Sequence, residues 1–411
     1  MRHVIIGSGI AGLSAARSIR ESDAGAEITM VASDPLDAYY RPKLLSLIEQ
    51  EDMDISLGAD LVGHLGVQTA HDTARGVNGN AKTVELTSGR HLSYDKLLIA
   101  TGSNPVIPDI PGSQGDGVFP LRTIEDARGI QSTTRGSRNV VVLGGGFVGI
   151  RTAVALKHLG LNVTIIEKLD RLLYEKVDQR ASAIVSDLLK REGIDIATNQ
   201  DDYEIIRSHR TIESVRLASG RIIDADFVVV AVGTKPNISP FVDSGMRTNK
   251  GILIGEHLET SIPDVYAAGD VVEYRDLVSN AFAVSASWTN AEEMGRLAGR
   301  NMAGASVRYA GFLSLMSTVE ILDLPIMTVG LVSAIGKGFE VIASSSENVY
   351  RKLVFKDDLM KGALLIGQRE DTDVYAYFIK NQIPLGSLKR SAIQGGLRYS
   401  DILKPQFRTA L

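Results

Sequence analysis

The sequence predicts an α/β protein: two similar parallel-sheet units, followed by a smaller C-terminal α+β part. Three observations carry this prediction. The pattern G-x-G-x-x-G occurs twice, each time between an apolar run and an apolar-periodic stretch: "HVIIGSGIAGLSAARSI" at residues 3–19 and "VVVLGGGFVGIRTAVAL" at residues 140–156. A longer segment is also repeated, since "VELTSGRHLSYDKLLIATGSNP" (84–105) matches "VRLASGRIIDADFVVVAVGTKPN" (215–237). Gly89 pairs with Gly220, Arg90 with Arg221 and Gly102 with Gly233, each 131 residues apart, and each copy lies downstream of one glycine loop. Beyond about residue 311 the texture changes, and "YRKLVFKDDLMKGALLIGQRE" (350–370) alternates around Lys356-Asp357-Asp358, as a hairpin does.

Composition bounds the possibilities. The chain has 411 residues, 44 % apolar and 23 % charged, an ordinary globular balance with room for two or three domains. A formal net charge of −5 argues against nucleic acid as a partner. No apolar run reaches the roughly 20 residues that cross a bilayer, and the N-terminus enters a strand without a signal-peptide pattern, so a cytoplasmic location is expected. The chain contains no cysteine. Disulfides, thiolate metal sites, protein-ligated iron–sulfur clusters and cysteine redox chemistry are therefore outside its own means. No metal site is expected.

The elements follow in order. A strand at His3–Ile6 turns through Gly7-Ser8-Gly9 into a helix near Ile10, and a second strand follows around Ile28–Ala32, completing a βαβ unit. The first glycine makes the tight turn, the second lets backbone approach a pyrophosphate, and the third lets helix and strand pack closely. The phosphates then sit at the positive end of the helix dipole. Both units are thus expected to be Rossmann-like dinucleotide cradles. The end of each second strand should carry the ribose contact. In the second unit this is Glu167, 18 residues past Gly149. A carboxylate there repels a 2′-phosphate and favours NAD over NADP, although Lys168 and Arg171 nearby pull the other way. In the first unit Ser33 and Asp34 stand there, and Asp34 is either a ribose ligand or a turn former before Pro35. Finally, "TSIPDVYAAGDVVE" (260–273) ends an apolar strand in Gly269-Asp270, a carboxylate placed for a ligand crossing the top of a sheet.

Taken with "YYRPKLLS" (39–46) and "IATGSNP" (99–105), these motifs resemble the two-dinucleotide-binding-domain flavoprotein reductases, a pyridine nucleotide-disulfide oxidoreductase-like fold here without cysteines. The match is nearest to the rubredoxin and ferredoxin reductases and the flavoprotein of NADH-dependent nitrite reductase, and it runs from Met1 to about residue 380. The resemblance implies that the first loop holds FAD and the second holds NAD(H). For FAD it implies Gly7, Gly9, Ile10, Ala11 and Gly12 at the pyrophosphate and Ser33 and Asp34 at the adenosine ribose. Arg41 and Lys43 follow on the adenine half, and Ala74 offers backbone to adenine. Ala100, Thr101 and Gly102 lie along the flavin, Gly269 and Asp270 at the ribitol and pyrophosphate, with Arg122 as a further candidate. For NAD it implies Gly144, Gly146, Phe147, Val148, Gly149, Glu167 and Gly233. It further implies an FAD domain at 1–110 and 240–310, an NAD domain at 111–239, and a C-terminal interface domain at 311–411 that serves dimer contact. A helix over 287–304 would point its N-terminus at the flavin, capped by Thr289 or Asn290 with Glu292 and Glu293 in its first turn.

Two positions depart from the family pattern. Many relatives carry Lys two residues past the leucine of R-P-x-L and Glu two residues past the last glycine of the NAD loop, where the two can pair between flavin and nicotinamide. This chain has Ser46 and Arg151 instead. Arg151 is either a cation of a rebuilt nicotinamide pocket or a solvent-facing helix residue. The tail 381–411 holds Lys389, Arg390, Arg398, Lys404 and Arg408 against Asp401 alone. Such a segment steers an acidic partner, or else serves as a solvated tail or subunit contact. The implied activity is transfer of a hydride from NADH to FAD and of single electrons to an iron–sulfur or iron protein such as ferredoxin or rubredoxin. The alternatives are an NADH oxidase or small-molecule reductase, and a flavin-bearing electron-transfer subunit with weak NADH turnover.

Overall fold

A computed structural model of the chain describes residues 1–33, 39–57, 61–333, 337–346 and 349–402. The chain forms two compact units, one of residues 1–43, 54–104 and 234–314, the other of residues 44–53, 105–233 and 315–411.

The first unit is built on a five-stranded parallel sheet in the order Val265–Ala267, Lys96–Ile99, Arg2–Ile6, Glu27–Ala32, Gln68–His71. Buried on both faces, its strands read as near-continuous apolar runs, as in "HVII" and "KLLI". The helix Ile10–Ser22 leaves the central strand and packs on the helix Trp288–Met302. Their contact is lined with small residues, and a Cβ on Gly295 or Gly299 would meet the carbonyl oxygen of Ala11 or Ala15 at 2.1 and 2.4 Å.

The second unit repeats the plan, with parallel strands in the order Val118–Pro120, Phe227–Val230, Asn139–Leu143, Asn162–Ile166, Ile194–Ala197. The repeat seen in the sequence is an antiparallel hairpin feeding a parallel strand in both units. Thr83–Leu86, His91–Ser93 and Lys96–Ile99 correspond to Thr211–Leu217, Ile222–Asp224 and Phe227–Val230. Gly89 and Gly220 take the same φ of +83° at the equivalent turn. The likeness extends to side chains that the motifs did not single out. Asp95 accepts the Arg2 N–H at 2.7 Å, and Asp226 accepts the Arg138 and Asn139 N–H groups at 2.7 and 2.8 Å, tying each hairpin to the start of its glycine-loop strand.

The C-terminal residues of the second unit form a five-stranded antiparallel sheet in the order Met316–Ile321, Leu324–Gly330, Leu359–Ile366, Tyr350–Lys356, Phe339–Ser345. The expected hairpin turns at Asp357-Asp358, both with positive φ, in the two-residue geometry that matches strand twist. The helices Thr372–Lys380 and Leu388–Gly395 follow. Arg351, buried in this sheet, pairs with Glu370, which also accepts from Tyr375.

Candidate functional site

The two glycine loops are built alike. A Cβ on Gly7 would lie 2.3 Å from Ala100 O, and on Gly144 2.5 Å from Ala231 O, so each loop presses against the strand beside it. A Cβ on Gly12 or Gly149 would strike the carbonyl of the first glycine at 2.1 or 2.0 Å. Gly9 and Gly146, by contrast, face open space. Each is the N-cap of its helix, contributes no side-chain cap and has no acidic residue in the turn that follows. The first-turn amides are left to an anion, which suits a pyrophosphate.

Around the first loop the residues fit a flavin dinucleotide. Arg41 Nε and Tyr39 Oη are buried without a hydrogen-bond partner among the described residues, as donors awaiting a ligand would be. Asp270 follows Gly269 and accepts from Ser103 Oγ at 3.1 Å. Thr101 Oγ1 donates to Asn237 O at 3.0 Å, and Asn237 N donates back to Gly102 O at 2.9 Å, which fixes residues 101–102. A Cβ on Gly269 would touch Ala11 at 3.1 Å and Ala291 at 3.5 Å. The start of the Trp288–Met302 helix is therefore at the same end of the sheet as the first loop and Asp270. There Trp288 meets Tyr40 edge to face, with ring centroids 4.9 Å apart.

Around the second loop, Glu167 ends the strand Asn162–Ile166 and turns back. Its Oε2 accepts the Gly145 N–H at 2.6 Å and its Oε1 the Leu169 N–H at 2.8 Å. Val148, Leu169, Tyr174 and Val232 are exposed apolar residues beside this loop, and Arg171 Cζ lies 3.9 Å from the centre of the Tyr174 ring.

Residues 1–295 match the pyridine nucleotide-disulphide oxidoreductase family. The chain belongs to it. It is a flavoprotein oxidoreductase whose cofactors are FAD and NAD(H). Among curated relatives it is 32 % identical over 344 residues to NADH oxidase of Methanocaldococcus jannaschii, covering 80 % of this chain and 76 % of that protein. It is 30 % identical over 377 residues to NADH-rubredoxin oxidoreductase of Clostridium acetobutylicum, covering 89 % and 90 %. To the assimilatory nitrate reductase electron transfer subunit of Bacillus subtilis it is 27 % identical over 399 residues, which are 96 % of this chain and 51 % of that protein. The chain thus spans about half the length of that last relative.

In this family member the loop glycines, Ile10, Ala11, Ala100, Thr101, Gly102, Gly269 and Asp270 come together in the first unit, while Gly144, Gly146, Phe147, Val148, Gly149, Glu167 and Gly233 do so in the second. Ser33 is exposed at the end of its strand, Lys43 closes the short Arg41–Lys43 turn, and Ala74 is buried at the start of the strand Ala74–Asn78. Asp34 lies outside the described residues, as do Lys404 and Arg408. Arg122 belongs to the second unit, where its N–H donates to Asp126 at the head of the helix Ile124–Thr134. Ser46 and Arg151, both half-buried, stand on the helices Leu44–Glu49 and Phe147–His158, which pack together and are joined by His158 and Glu49 at 3.0 Å.

The long helix after Asp270 lies within the expected span but is capped differently. Its N-cap is Ser287 without a side-chain cap bond, so Thr289 and Asn290 are already helical, and no acidic residue stands in the first turn. Asn290 accepts instead from Tyr309 Oη at 2.6 Å, which removes it from capping. The tail also differs in part from a free basic segment. Lys389 Nζ lies 2.7 Å from both Glu340 and Asp358 and 4.7 Å from the Phe355 ring. Its charge is spent inside the fold, while Arg390 and Arg398 are exposed. The motifs passed over Ser103, Asn237, Gly145 and Trp288. Only Trp288, the chain's single tryptophan beside a cofactor motif, offered a signal in the sequence.

Proposed function

We propose that this protein takes a hydride from NADH onto FAD and releases the electrons singly to a small iron–sulfur or iron protein. The observation that carries the reading is a pair of like-built cradles in a chain without cysteine: electrons leaving the flavin find no thiol in the chain and need an external acceptor. NADH-rubredoxin oxidoreductase, which aligns over nearly its whole length, supports an acceptor of the rubredoxin class. Bound FAD supplies the chemistry, since it accepts two electrons as hydride and gives them up one at a time. The chain's residues bind and orient. Residues 1–110 and 240–310 hold FAD, with Asp270 accepting from its hydroxyls and Arg41 meeting its adenine half. Residues 111–239 hold the nucleotide, with Glu167 accepting from the ribose. Residues 311–411 serve an interface, which suits a homodimer. Among the described residues no helix is long and apolar enough to cross a membrane, and a cytoplasmic setting belongs to the same reading.

The Arg151 side chain forms no hydrogen bond or ion pair among the described residues. We infer that it faces the nicotinamide pocket with Ser46 opposite. Arg151→Glu should slow hydride transfer, and adding Ser46→Lys should restore part of the rate. Additivity within about 0.5 kcal/mol in that cycle would place Arg151 at the surface. The function itself is tested by anaerobic stopped-flow. NADH should bleach the flavin within the enzyme's turnover time, and oxidised rubredoxin or ferredoxin should recolour it faster than air does. Faster recolouring by dioxygen would favour an oxidase, and slow bleaching an electron-transfer subunit.

A further inference from the structure

We propose that Gly145, the middle residue of the second glycine loop, is a positioning residue for nucleotide choice. It holds Glu167 at the ribose, and so keeps silent a 2′-phosphate site formed by Lys168 and Arg171. The proposal rests on the reading of this loop as the pyridine-nucleotide cradle.

Gly145 is not among the glycines with positive φ, so its backbone conformation does not demand glycine. Space demands it. A Cβ there would lie 2.9 Å from Glu167 Oε2 and 2.5 Å from Leu172 Cδ2. Because the loop is bare, its amide can donate to Glu167 at 2.6 Å while Leu169 N donates to the other oxygen at 2.8 Å. Each carboxylate oxygen keeps further acceptor capacity, and two adjacent acceptors suit the two hydroxyls of a ribose. In the first loop the equivalent residue is Ser8, where the following strand ends in Ser33 rather than a long carboxylate. Two cations flank Glu167 in sequence. Lys168 is exposed, and Arg171 lies over the Tyr174 ring with its Nε buried and without a hydrogen-bond partner among the described residues. One Arg171 terminal nitrogen contacts Asp170 at 2.9 Å. With Glu167 pinned, a 2′-phosphate meets a carboxylate. With Glu167 displaced, it meets an ammonium and a guanidinium, and guanidinium geometry suits phosphate.

A Cβ on Gly145 would meet the ends of Leu172 and Glu167 and crowd Glu167 Cβ at 3.3 Å, side-chain atoms rather than backbone, so the loop should survive and the carboxylate should leave. The test is calorimetric titration of the FAD-loaded protein with ADP-ribose and 2′-phospho-ADP-ribose, ligands that transfer no hydride. The wild type should prefer ADP-ribose. Gly145→Ala and Glu167→Ala should each shift the ratio of the two dissociation constants about tenfold or more toward the phosphorylated ligand, the scale of a lost hydrogen bond to a charged group. Adding Arg171→Ala or Lys168→Ala to Gly145→Ala should reverse the gain. If Glu167→Ala shifts the ratio and Gly145→Ala does not, the positioning role of Gly145 is wrong. If neither shifts it, the ribose reading of the second loop fails as well. Should Gly145→Ala not fold, Glu167→Asp decides: its shorter side chain cannot serve loop and ribose together, so the ratio should move the same way, and an unchanged ratio overturns the proposal.

Discussion

Replacing Asp178 by alanine should loosen the C-terminal sheet from the second glycine-loop domain. Asp178 caps the helix Gln179–Arg191 by accepting from Ala181 N at 3.1 Å. Its Oδ2 also accepts from Tyr350 Oη at 2.7 Å and Lys352 Nζ at 2.9 Å, both on a strand of the C-terminal sheet. The Asp178 and Lys352 side chains are only 16 % and 13 % exposed. Losing the cap costs about 1 kcal/mol, and leaving Lys352 and Tyr350 without their acceptor adds about 2–4 kcal/mol. A loss of about 3–5 kcal/mol is therefore expected. Urea titration followed by far-UV circular dichroism measures it. Trp288, the only tryptophan, belongs to the first unit, so its emission reports that unit and should move less. In an Asp178→Asn background, Lys352→Met should recover stability, because it removes the orphaned charge. Burial pushes the Asp178 carboxyl up, yet the Lys352 and Tyr350 hydrogen bonds hold it, on balance, below the usual carboxylate range. Its contribution is therefore present above about pH 4 and lost as pH falls further. A cost below about 1 kcal/mol for Asp178→Ala, or no coupling to Lys352, would refute the reasoning.

Asp270→Ala should weaken FAD retention about 10- to 100-fold by removing a charged acceptor, and full flavin occupancy after gel filtration would contradict that role. Lys389→Ala should lower the thermal midpoint, because Glu340 and Asp358 lose their shared cation. Arg390→Ala with Arg398→Ala should leave the midpoint alone and flatten the salt dependence of acceptor reduction, measured over a range of ionic strengths. His3 is buried with an Nδ1 that has no partner among the described residues, and burial lowers its pKa, with the N-terminus and Lys96 acting the same way against Asp23 and Asp95. Stability should thus be full above about pH 6.5 and fall as the pH drops below it, and His3→Leu should remove that slope from the pH dependence of the thermal midpoint.

Much of this protein was determined by local sequence. The loop glycines follow from sterics within a few residues, since Gly7 and Gly144 press on the neighbouring strand and Gly12 and Gly149 on the turn itself. The repeat foretold two like sheets because each copy encodes a complete hairpin and strand. The turn at Asp357-Asp358 was equally local. Tertiary structure alone decided where long side chains went. Asn290 could cap a helix by type, but Tyr309, distant in sequence, took its oxygen. Lys389 reads as a free cation in a basic tail until a strand and a hairpin turn bring Glu340 and Asp358 to it. Asp178 reads as a simple cap until Tyr350 and Lys352 arrive from 172 and 174 residues away. Gly145 looks interchangeable with Ser8 until the chain returns Glu167 to its amide. Backbone geometry is set by near neighbours, whereas a polar side chain is satisfied by whichever partner the fold delivers.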